Sequence, residues 1–198
     1  MSFILVNAEI VGTGSMLQNR FTDHSEVEGD KATRKVLQTK GTPREQAAVK
    51  LYIEPTGDLL YHPGSAIARL LREAGGNHKM KGTRKTVKYL VPSAVLVMDD
   101  TVPLYHADTG KRLVAKNAEV DSRPVVIPST KGRIMAHRPR HDRWMMRFRL
   151  RVNDDLLPLD LIHQLLTEGG QQLGIGDFRP EKGGPFGVFN VTSWQIEK

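Results

Sequence analysis

Cysteine is absent from this chain of 198 residues. Disulfide bridges and thiolate-ligated zinc sites are therefore excluded, and the absence fits a cytoplasmic protein. No apolar run approaches the roughly 18 residues that a bilayer-spanning helix needs, so we expect no membrane as a partner. Residues 1–7 lack the basic start and the small-residue cleavage site of a secretory signal, and we interpret them as the start of a first strand.

Aromatic residues are scarce, at 6% of the chain. Tyr52, Tyr61, Tyr89, Tyr105 and Phe178 do not follow the pattern of the aromatic pair on which RNA-recognition sheets stack bases. If nucleic acid is the ligand, we expect contacts to its phosphate backbone to dominate over base stacking. Binding would then show little sequence preference.

Residue patterns for metal chemistry are also missing. No set of spaced carboxylates stands out of the kind that a two-metal nuclease needs. His137 and His141 lie four residues apart, but Pro139 between them disfavours the helix on which such a pair would bind a metal ion. We interpret His62 and His163 as structural residues. The sequence therefore predicts neither a metal nor a cofactor.

Positive charge is what the chain has in excess, with a formal net charge of +7. The excess is local, because residues 77–151 hold 17 Lys and Arg against 6 Asp and Glu, a net charge of +11, and the remainder is acidic at −4. A localised basic block is typical of a protein that binds a polyanion. A general solubility charge is the alternative interpretation.

Arginines line one face of the strand predicted at residues 144–152. This segment alternates apolar side chains on one face with Arg147, Arg149 and Arg151 on the other. Side chains on one face are about 7 Å apart, which is close to the repeat of an extended nucleic-acid backbone. Arg138 and Arg140 add charge just before the strand. No acid lies within the strand, which argues against a simple salt-bridged face; a solvated sheet face is the alternative.

A second basic group follows a helix predicted at residues 63–74. Its members are Lys79, Lys81, Arg84, Lys85 and Lys88, with Gly82 among them. We expect phosphate contacts from this segment if it faces the glycine-rich stretch near the C-terminus. An exposed loop without a ligand is the alternative.

That glycine-rich stretch, residues 174–187, is the most distinctive motif of the chain. Its five glycines are Gly174, Gly176, Gly183, Gly184 and Gly187, and Arg179 and Lys182 add positive charge. Glycine permits left-handed backbone and close approach, so we expect a loop that turns successive N–H groups toward one anion. The stretch is neither a nucleotide-binding P-loop nor a dinucleotide fingerprint, because it lacks the terminal Gly-Lys-Ser/Thr and precedes a strand.

The strong elements follow the order strand, helix, strand, strand, helix, strand. This βαββαβ order predicts an α+β fold with a ferredoxin-like or RRM-like palm, helices on one face of an antiparallel sheet and the other face open. Thr42 and Pro43 predict the start of a short helix over residues 43–50. Two further strands, 120–127 and 132–137, predict a hairpin with its tip at 128–131. The predicted palm elements are residues 2–12, 63–74, a strand within 86–98, 144–152, 157–168 and 187–196.

Three of these segments resemble motifs of the RAMP superfamily (repeat-associated mysterious proteins). Residues 10–18 are similar to the end of its first strand, residues 61–72 to its Pro-Gly-Ser helix start, and residues 174–188 to its glycine loop and final strand. The nearest likeness is to the guide-RNA-binding backbone subunits of multisubunit CRISPR effector complexes. The pattern is also similar to small stand-alone proteins of this type in phages and mobile elements.

The resemblance implies one RAMP-like domain with single-stranded guide RNA across its palm and subunits stacked along the RNA, beside other effector subunits. The palm would comprise about residues 1–12, 60–99 and 143–198, with an inserted loop at 13–59 and a basic β-hairpin thumb within 100–142. Carried over by position, Ser65, Arg69, Arg72 and Arg179 would face RNA beside the glycine loop. RNA-cleaving relatives use an aspartate after the first strand, and Asp23 is the nearest equivalent here.

Four functions remain open from the sequence. The first is a non-catalytic protein that coats single-stranded RNA as a repeating subunit of a CRISPR-type antiviral ribonucleoprotein. The second is a ribonuclease of the same fold that uses Asp23, and the third is a phage-type single-stranded DNA-binding or annealing protein. The fourth is a structural or inhibitory protein that mimics a subunit of a larger complex. The sequence favours a binding protein over an enzyme.

Overall fold

The computed structural model describes residues 3–21, 41–126 and 131–197, which form two antiparallel sheets and short to medium helices. The strands are β1 (Phe3–Gly12), β2 (Met16–Leu17), β3 (Tyr61–Pro63), β4 (Val95–Val97), β5 (Thr101–His106), β6 (Glu119–Val126), β7 (Arg133–His141), β8 (Trp144–Asn153) and β9 (Phe189–Ile196). The helices are α1 (Pro43–Ala48), α2 (Gly64–Ala74), α3 (Val91–Ala94) and α4 (Leu159–Gln172).

The main sheet has the strand order β3-β5-β8-β1-β9, and β4 also pairs with β8. All of its pairings are antiparallel. Read along the chain, β1, α2, β4 with β5, β8, α4 and β9 form the βαββαβ palm. The α+β, ferredoxin-like fold predicted from the element order is confirmed.

β8 lies at the centre of the sheet, with β1 on one side and β4 and β5 on the other, and its alternating side chains give it two different faces. Its apolar side chains, from Trp144 to Val152, are buried on the side covered by α2 and α4, and its arginines face the opposite side. β1 pairs with it so that Ala8 faces Phe148 and Ile10 faces Met146, which joins two apolar rows in one core. The predicted division of β8 into a core face and an arginine face is confirmed.

α4 extends past the predicted end at residue 168 because two glycines let its last turn approach neighbouring elements. A Cβ on Gly169 would lie 2.5 Å from Leu70 of α2, and one on Gly170 would lie 2.5 Å from the ring of Phe189. Close packing therefore outweighs the low helix propensity of the two glycines. α1 has the predicted start, since Thr42 and Glu45 form a reciprocal capping box and Pro43 opens the helix.

A second sheet, in the order β2-β7-β6, lies beside the palm. β6 and β7 pair as the predicted hairpin, and the tip predicted at 128–131 lies outside the described residues except for Lys131. β7 continues to His141 because its last residues pair with β2, and β5, which falls inside the predicted insertion, pairs with β8 in the main sheet. In the part of the chain that is described, no helix is both long and apolar enough to cross a membrane.

Candidate nucleic-acid interface

A cleft of about 420 Å³ separates one side of α2 from the segment that contains the glycine loop, by which we mean residues 174–187. The helix contributes side chains between Ser65 and Glu73, and the loop segment contributes residues 173–181. Asn19, Tyr52 and His62 complete the walls. Two motifs that lie more than a hundred residues apart in the sequence therefore line one site.

The N-terminus of α2 opens into this cleft, and no side chain of the described residues caps it. Pro63 occupies the cap position and makes no capping hydrogen bond, while the N–H of Gly64 donates to the carbonyl of Asp100 at 2.8 Å. Ser65 and Ala66 follow on the cleft wall. First-turn N–H groups carry the positive end of the helix dipole, which attracts anions.

Arg69 of α2 and Arg179 of the glycine loop share one carboxylate partner in the cleft. Glu181 Oε1 accepts from Arg69 Nη2 at 2.7 Å, and Glu181 Oε2 accepts from Arg179 Nη2 at 2.8 Å and Nε at 2.9 Å. Arg179 also donates through Nη1 to the carbonyl of Gly176 at 2.7 Å. Two predicted nucleic-acid-binding residues are thus brought together, and one of them is fixed in orientation by the loop backbone.

The β6–β7 hairpin packs against the outer side of the glycine loop. Arg138 forms a largely buried ion pair with Asp177, and the guanidinium of Arg123 lies 5.3 Å and 4.6 Å from the ring centroids of Phe178 and Phe186. Lys50 donates to the carbonyl of His137 at 2.7 Å, and burial, followed by the charge of Arg138, lowers the pKa of Lys50. These contacts give Arg138 a supporting position behind the cleft.

Glycine in this loop serves mainly to pack the loop against its surroundings. Gly174, Gly176, Gly183 and Gly187 have left-handed backbone, and a Cβ on Gly187 would lie 1.7 Å from the carbonyl oxygen of Ile175. The N–H groups of Ile175, Asp177 and Gly187 donate to backbone carbonyls. The expectation that successive N–H groups turn toward one anion is therefore wrong for these positions, because the neighbouring segments already use the donors.

The arginines of β8 lie on the open face of the sheet, where β1 and the connection between β4 and β5 supply acids. Arg147 donates to Glu9 at 2.7 Å and Arg149 donates to Asp99 at 3.1 Å, across a cleft of about 480 Å³. The hydrogen bond from Arg147 holds the pKa of Glu9 below its usual value. The expectation that this face lacks paired acids is wrong, because the register between strands, not the sequence of β8 alone, decides the pairing.

The same open face carries an aromatic residue that the sequence analysis overlooked. Phe3 is 52% exposed, and the guanidinium of Arg151 lies 5.0 Å from its ring centroid. Leu5 and Leu96, both partly exposed, lie opposite Arg151 on the neighbouring strands. The sequence gives no signal for this apolar group around Arg151, because Phe3, Leu5 and Leu96 come together only when β1 and β4 pair with β8.

The basic segment after α2, residues 79–88, forms a tight turn. Lys79, Lys81, Arg84 and Lys85 are exposed and form no ion pair with any described residue. Lys88 pairs with Glu73 at 2.6 Å, and Arg72 pairs with the same carboxylate at 2.9 Å. Because Glu73 lines the cleft, this ion pair places the segment at the end of the cleft opposite Ser65.

The remaining predicted residues lie at the margins. Arg140 pairs with Asp142 at 2.6 Å, and Lys182 and Gly183 are exposed at the rim of the glycine loop. The Cβ position of Gly184 would lie 1.9 Å from the carbonyl oxygen of Phe178, so this residue shapes the loop. Asp23, the candidate for catalysis, lies outside the described residues.

Two histidines are buried next to the cleft. His62 and His141 are only 3% and 5% exposed, and among the described residues His62 Nδ1 and His141 Nε2 have no hydrogen-bond partner. Burial, followed by the charge of His141, lowers the pKa of His62 to about 4, and burial likewise lowers the pKa of His141 to about 4. Within the described ranges no group of three or more His, Asp or Glu could hold a metal ion.

Comparison with known proteins gives no relative by sequence, since no family model and no curated protein matches the chain. Among solved structures, Cmr6 from Pyrococcus furiosus is 10% identical, with 96% of this chain and 99% of that chain covered and a TM-score of 0.48. A chain in the cryo-EM structure of the type III-B Cmr-beta bound to cognate target RNA is 14% identical, with a TM-score of 0.49. The match covers 99% of this chain and 61% of that one. Likeness at this level does not identify a ligand.

Proposed function

We propose that this protein binds single-stranded nucleic acid, with RNA as its natural ligand, through contacts to the phosphate backbone. The observation that carries the proposal is the cleft in which the uncapped N-terminus of α2 meets Arg69 and Arg179. A helix N-terminus beside guanidinium groups is a favourable environment for phosphate. Tyr52 on the same wall supplies an aromatic surface for a base.

The path of the strand runs along α2. It begins near Lys182 at the rim of the glycine loop and passes Arg69 and Arg179. It ends at the basic segment, where four of the five cations form no ion pair with a described residue. α2 has 11 residues and is therefore about 16 Å long, enough for a few nucleotides. Free cations at one end and ion-paired arginines at the other make the electrostatic contribution strongest at the basic segment.

RNA is preferred over DNA in this proposal because residues 61–72 and 174–188 resemble the motifs of guide-RNA-binding subunits. On the same ground we propose that the chain coats RNA as a repeating subunit, alone or beside other subunits of a CRISPR-type effector complex. Self-association along the strand follows from that role. Arg147 and Arg149 contribute less than the sequence suggests, because each is already paired with an acid on the open face.

The test is a titration of a labelled 30-nucleotide RNA of mixed sequence, followed by fluorescence anisotropy at several salt concentrations. We expect binding that weakens steeply as salt rises, with similar affinities for unrelated RNA sequences. Competition with a DNA strand of the same sequence separates RNA from DNA as the preferred ligand. Absence of binding to either strand at low salt would overturn the proposal.

A further inference from the structure

Glu181 has the geometry of an internal substitute for phosphate. Its two carboxylate oxygens are held by different guanidinium groups, Oε1 by Arg69 and Oε2 by Arg179, at 2.7 to 2.9 Å. A phosphate group presents oxygen acceptors to arginine in the same way. We propose that Arg69 and Arg179 form a subsite for one phosphate group and that the Glu181 carboxylate fills it when no ligand is bound. A nucleic-acid strand then displaces the carboxylate. This inference rests on the proposed nucleic-acid binding.

Arg179 is built to remain in place when Glu181 leaves. Its side chain is only 13% exposed, and its Nη1 donates to the carbonyl of Gly176 at 2.7 Å. Arg69 projects from the regular helix α2, which fixes the backbone from which its side chain extends. Arg179 is therefore preorganised, and Arg69 stays within reach of the same position when Glu181 leaves.

Glu181, by contrast, reaches the two arginines only through a side chain with three rotatable bonds, while its backbone N–H donates to the carbonyl of Leu173 at 3.3 Å. It is the middle residue of the short 3-10 turn Pro180–Lys182, and Gly183 follows in left-handed conformation. No atom of the described residues lies within 4 Å of the Cβ position of Gly183, so there is open space on that side of the turn. The carboxylate can swing out of the cleft without disturbing the buried residues of the core.

The consequence is selection for a polyanion over a single anion. A tethered carboxylate competes at a high effective concentration, so an isolated phosphate displaces it poorly. A strand that also contacts Lys79, Lys81, Arg84 and Lys85 gains the additional contacts needed to displace it. Glu181 thereby lowers affinity for short phosphorylated molecules more than for long strands.

Two experiments test this inference. In RNA titrations, Glu181→Gln should bind a 30-nucleotide RNA about tenfold more tightly than the wild type, because the site is no longer filled for most of the time. Glu119→Gln, which removes the same charge from an exposed strand position, should change affinity less than twofold. A double-mutant cycle checks the cause of the gain: in a protein that already carries Arg69→Gln, adding Glu181→Gln should no longer raise RNA affinity.

The second experiment does not depend on RNA. Pyrophosphate titration, followed through the Arg179 Nε–H resonance in an NMR spectrum, should shift that signal in Glu181→Gln at concentrations that leave the wild type unchanged. Equal responses of the two proteins to pyrophosphate, or RNA affinities that match those of Glu119→Gln, would overturn the inference. If the wild type binds RNA in that case, the proposed function stands; if neither variant binds RNA, the proposed function also fails.

Discussion

The cleft beside α2 and the open face of the sheet both present arginines, but they differ in how those arginines are neutralised. On the sheet face Arg147 and Arg149 each have their own acid, Glu9 and Asp99, and Arg151 lies over the ring of Phe3. In the cleft a single carboxylate, Glu181, serves both Arg69 and Arg179. The other two acids of the cleft lining, Glu73 and Asp177, are paired with Arg72, Lys88 and Arg138. The number of arginines on a surface therefore does not predict where an anion binds; the local balance of charges does.

The groups that border the two regions increase the difference in their net charge. The cleft adjoins an uncapped helix N-terminus and leads to four exposed cations without an acid among them, whereas the sheet face is bordered by Asn7, Ser193 and Gln195. Exposed ion pairs contribute only about 0–1 kcal/mol each to stability, so the pairs on the sheet face matter mainly because they cancel its charge. We expect nucleic acid at the cleft and little or none on the sheet face.

The largest expected effect is on the pH dependence of the free energy of unfolding, to which the histidines beside the cleft and Glu9 on the sheet face contribute in different pH ranges. The pKa values of His62 and His141 lie near 4 instead of 6.5, so the unfolded chain binds more protons between these values. Stability is then fully present above pH 6.5 and falls as the pH drops toward 4, by up to about 3 kcal/mol for each histidine. Glu9 on the sheet face has a lowered pKa, so its contribution is lost only as the pH falls below 4.5.

Urea unfolding at half-unit steps between pH 7 and pH 4 measures this prediction. His62→Leu removes one of the two buried histidines and should reduce the loss of unfolding free energy between pH 7 and pH 4 by about half. A free energy of unfolding that stays constant from pH 7 to pH 5 would show that protonation of His62 and His141 does not destabilise the fold.

The second effect concerns the basic segment. Changing Lys79, Lys81, Arg84 and Lys85 together to Gln should weaken RNA binding about 100-fold and reduce the slope of log K against log salt by roughly 3. The matched variant Arg147→Gln with Arg149→Gln should weaken binding less than about threefold, because those charges are already paired. Anisotropy at several salt concentrations gives both numbers, and equal losses would remove the distinction between the two regions.

A third effect tests the glycine loop as a packed support of the cleft. Gly187→Ala should destabilise the protein by about 2–3 kcal/mol, since its backbone is left-handed and its Cβ would meet the carbonyl of Ile175 at 1.7 Å. Gly183→Ala, also left-handed but in open space, should cost about 1 kcal/mol. Similar losses in urea unfolding would contradict the assignment of Gly187 to packing.

The smallest effect compares the two carboxylates directly. Glu9→Gln releases Arg147 on the sheet face, and we expect RNA affinity to rise less than about twofold. Glu181→Gln, as stated above, should raise it about tenfold. A larger gain from Glu9→Gln than from Glu181→Gln would move the binding surface from the cleft to the sheet.

The sequence predicted the palm well because its signals are local. Alternation in β8 and the apolar spacing in α2 depend on residues within a few positions of one another, as does the Thr42–Pro43 start of α1 outside the palm. The pairing of Arg147 with Glu9 depends on strand register across 138 positions, and that of Arg69 with Glu181 spans 112. No local pattern carries such information, which is why the arginine face looked freer than it is.

The glycine loop shows the same limit in another form. Its glycines correctly indicated left-handed backbone and close approach, but the destination of its N–H groups depends on the carbonyls of Leu17 and Ser15. Those residues lie at the other end of the chain. Composition therefore indicated how the loop bends, and only the fold shows which of its donors are already used.

The most direct test of the central claim is photocrosslinking of the protein to a 30-nucleotide RNA that carries 4-thiouridine, with the crosslinked peptides identified by mass spectrometry. We predict crosslinks in α2, in the glycine loop around Arg179 and in the basic segment from Lys79 to Lys88, with Tyr52 as a favoured aromatic acceptor. Crosslinks confined to Phe3, Tyr105 and the arginines of β8 would place RNA on the open face of the sheet and contradict the account.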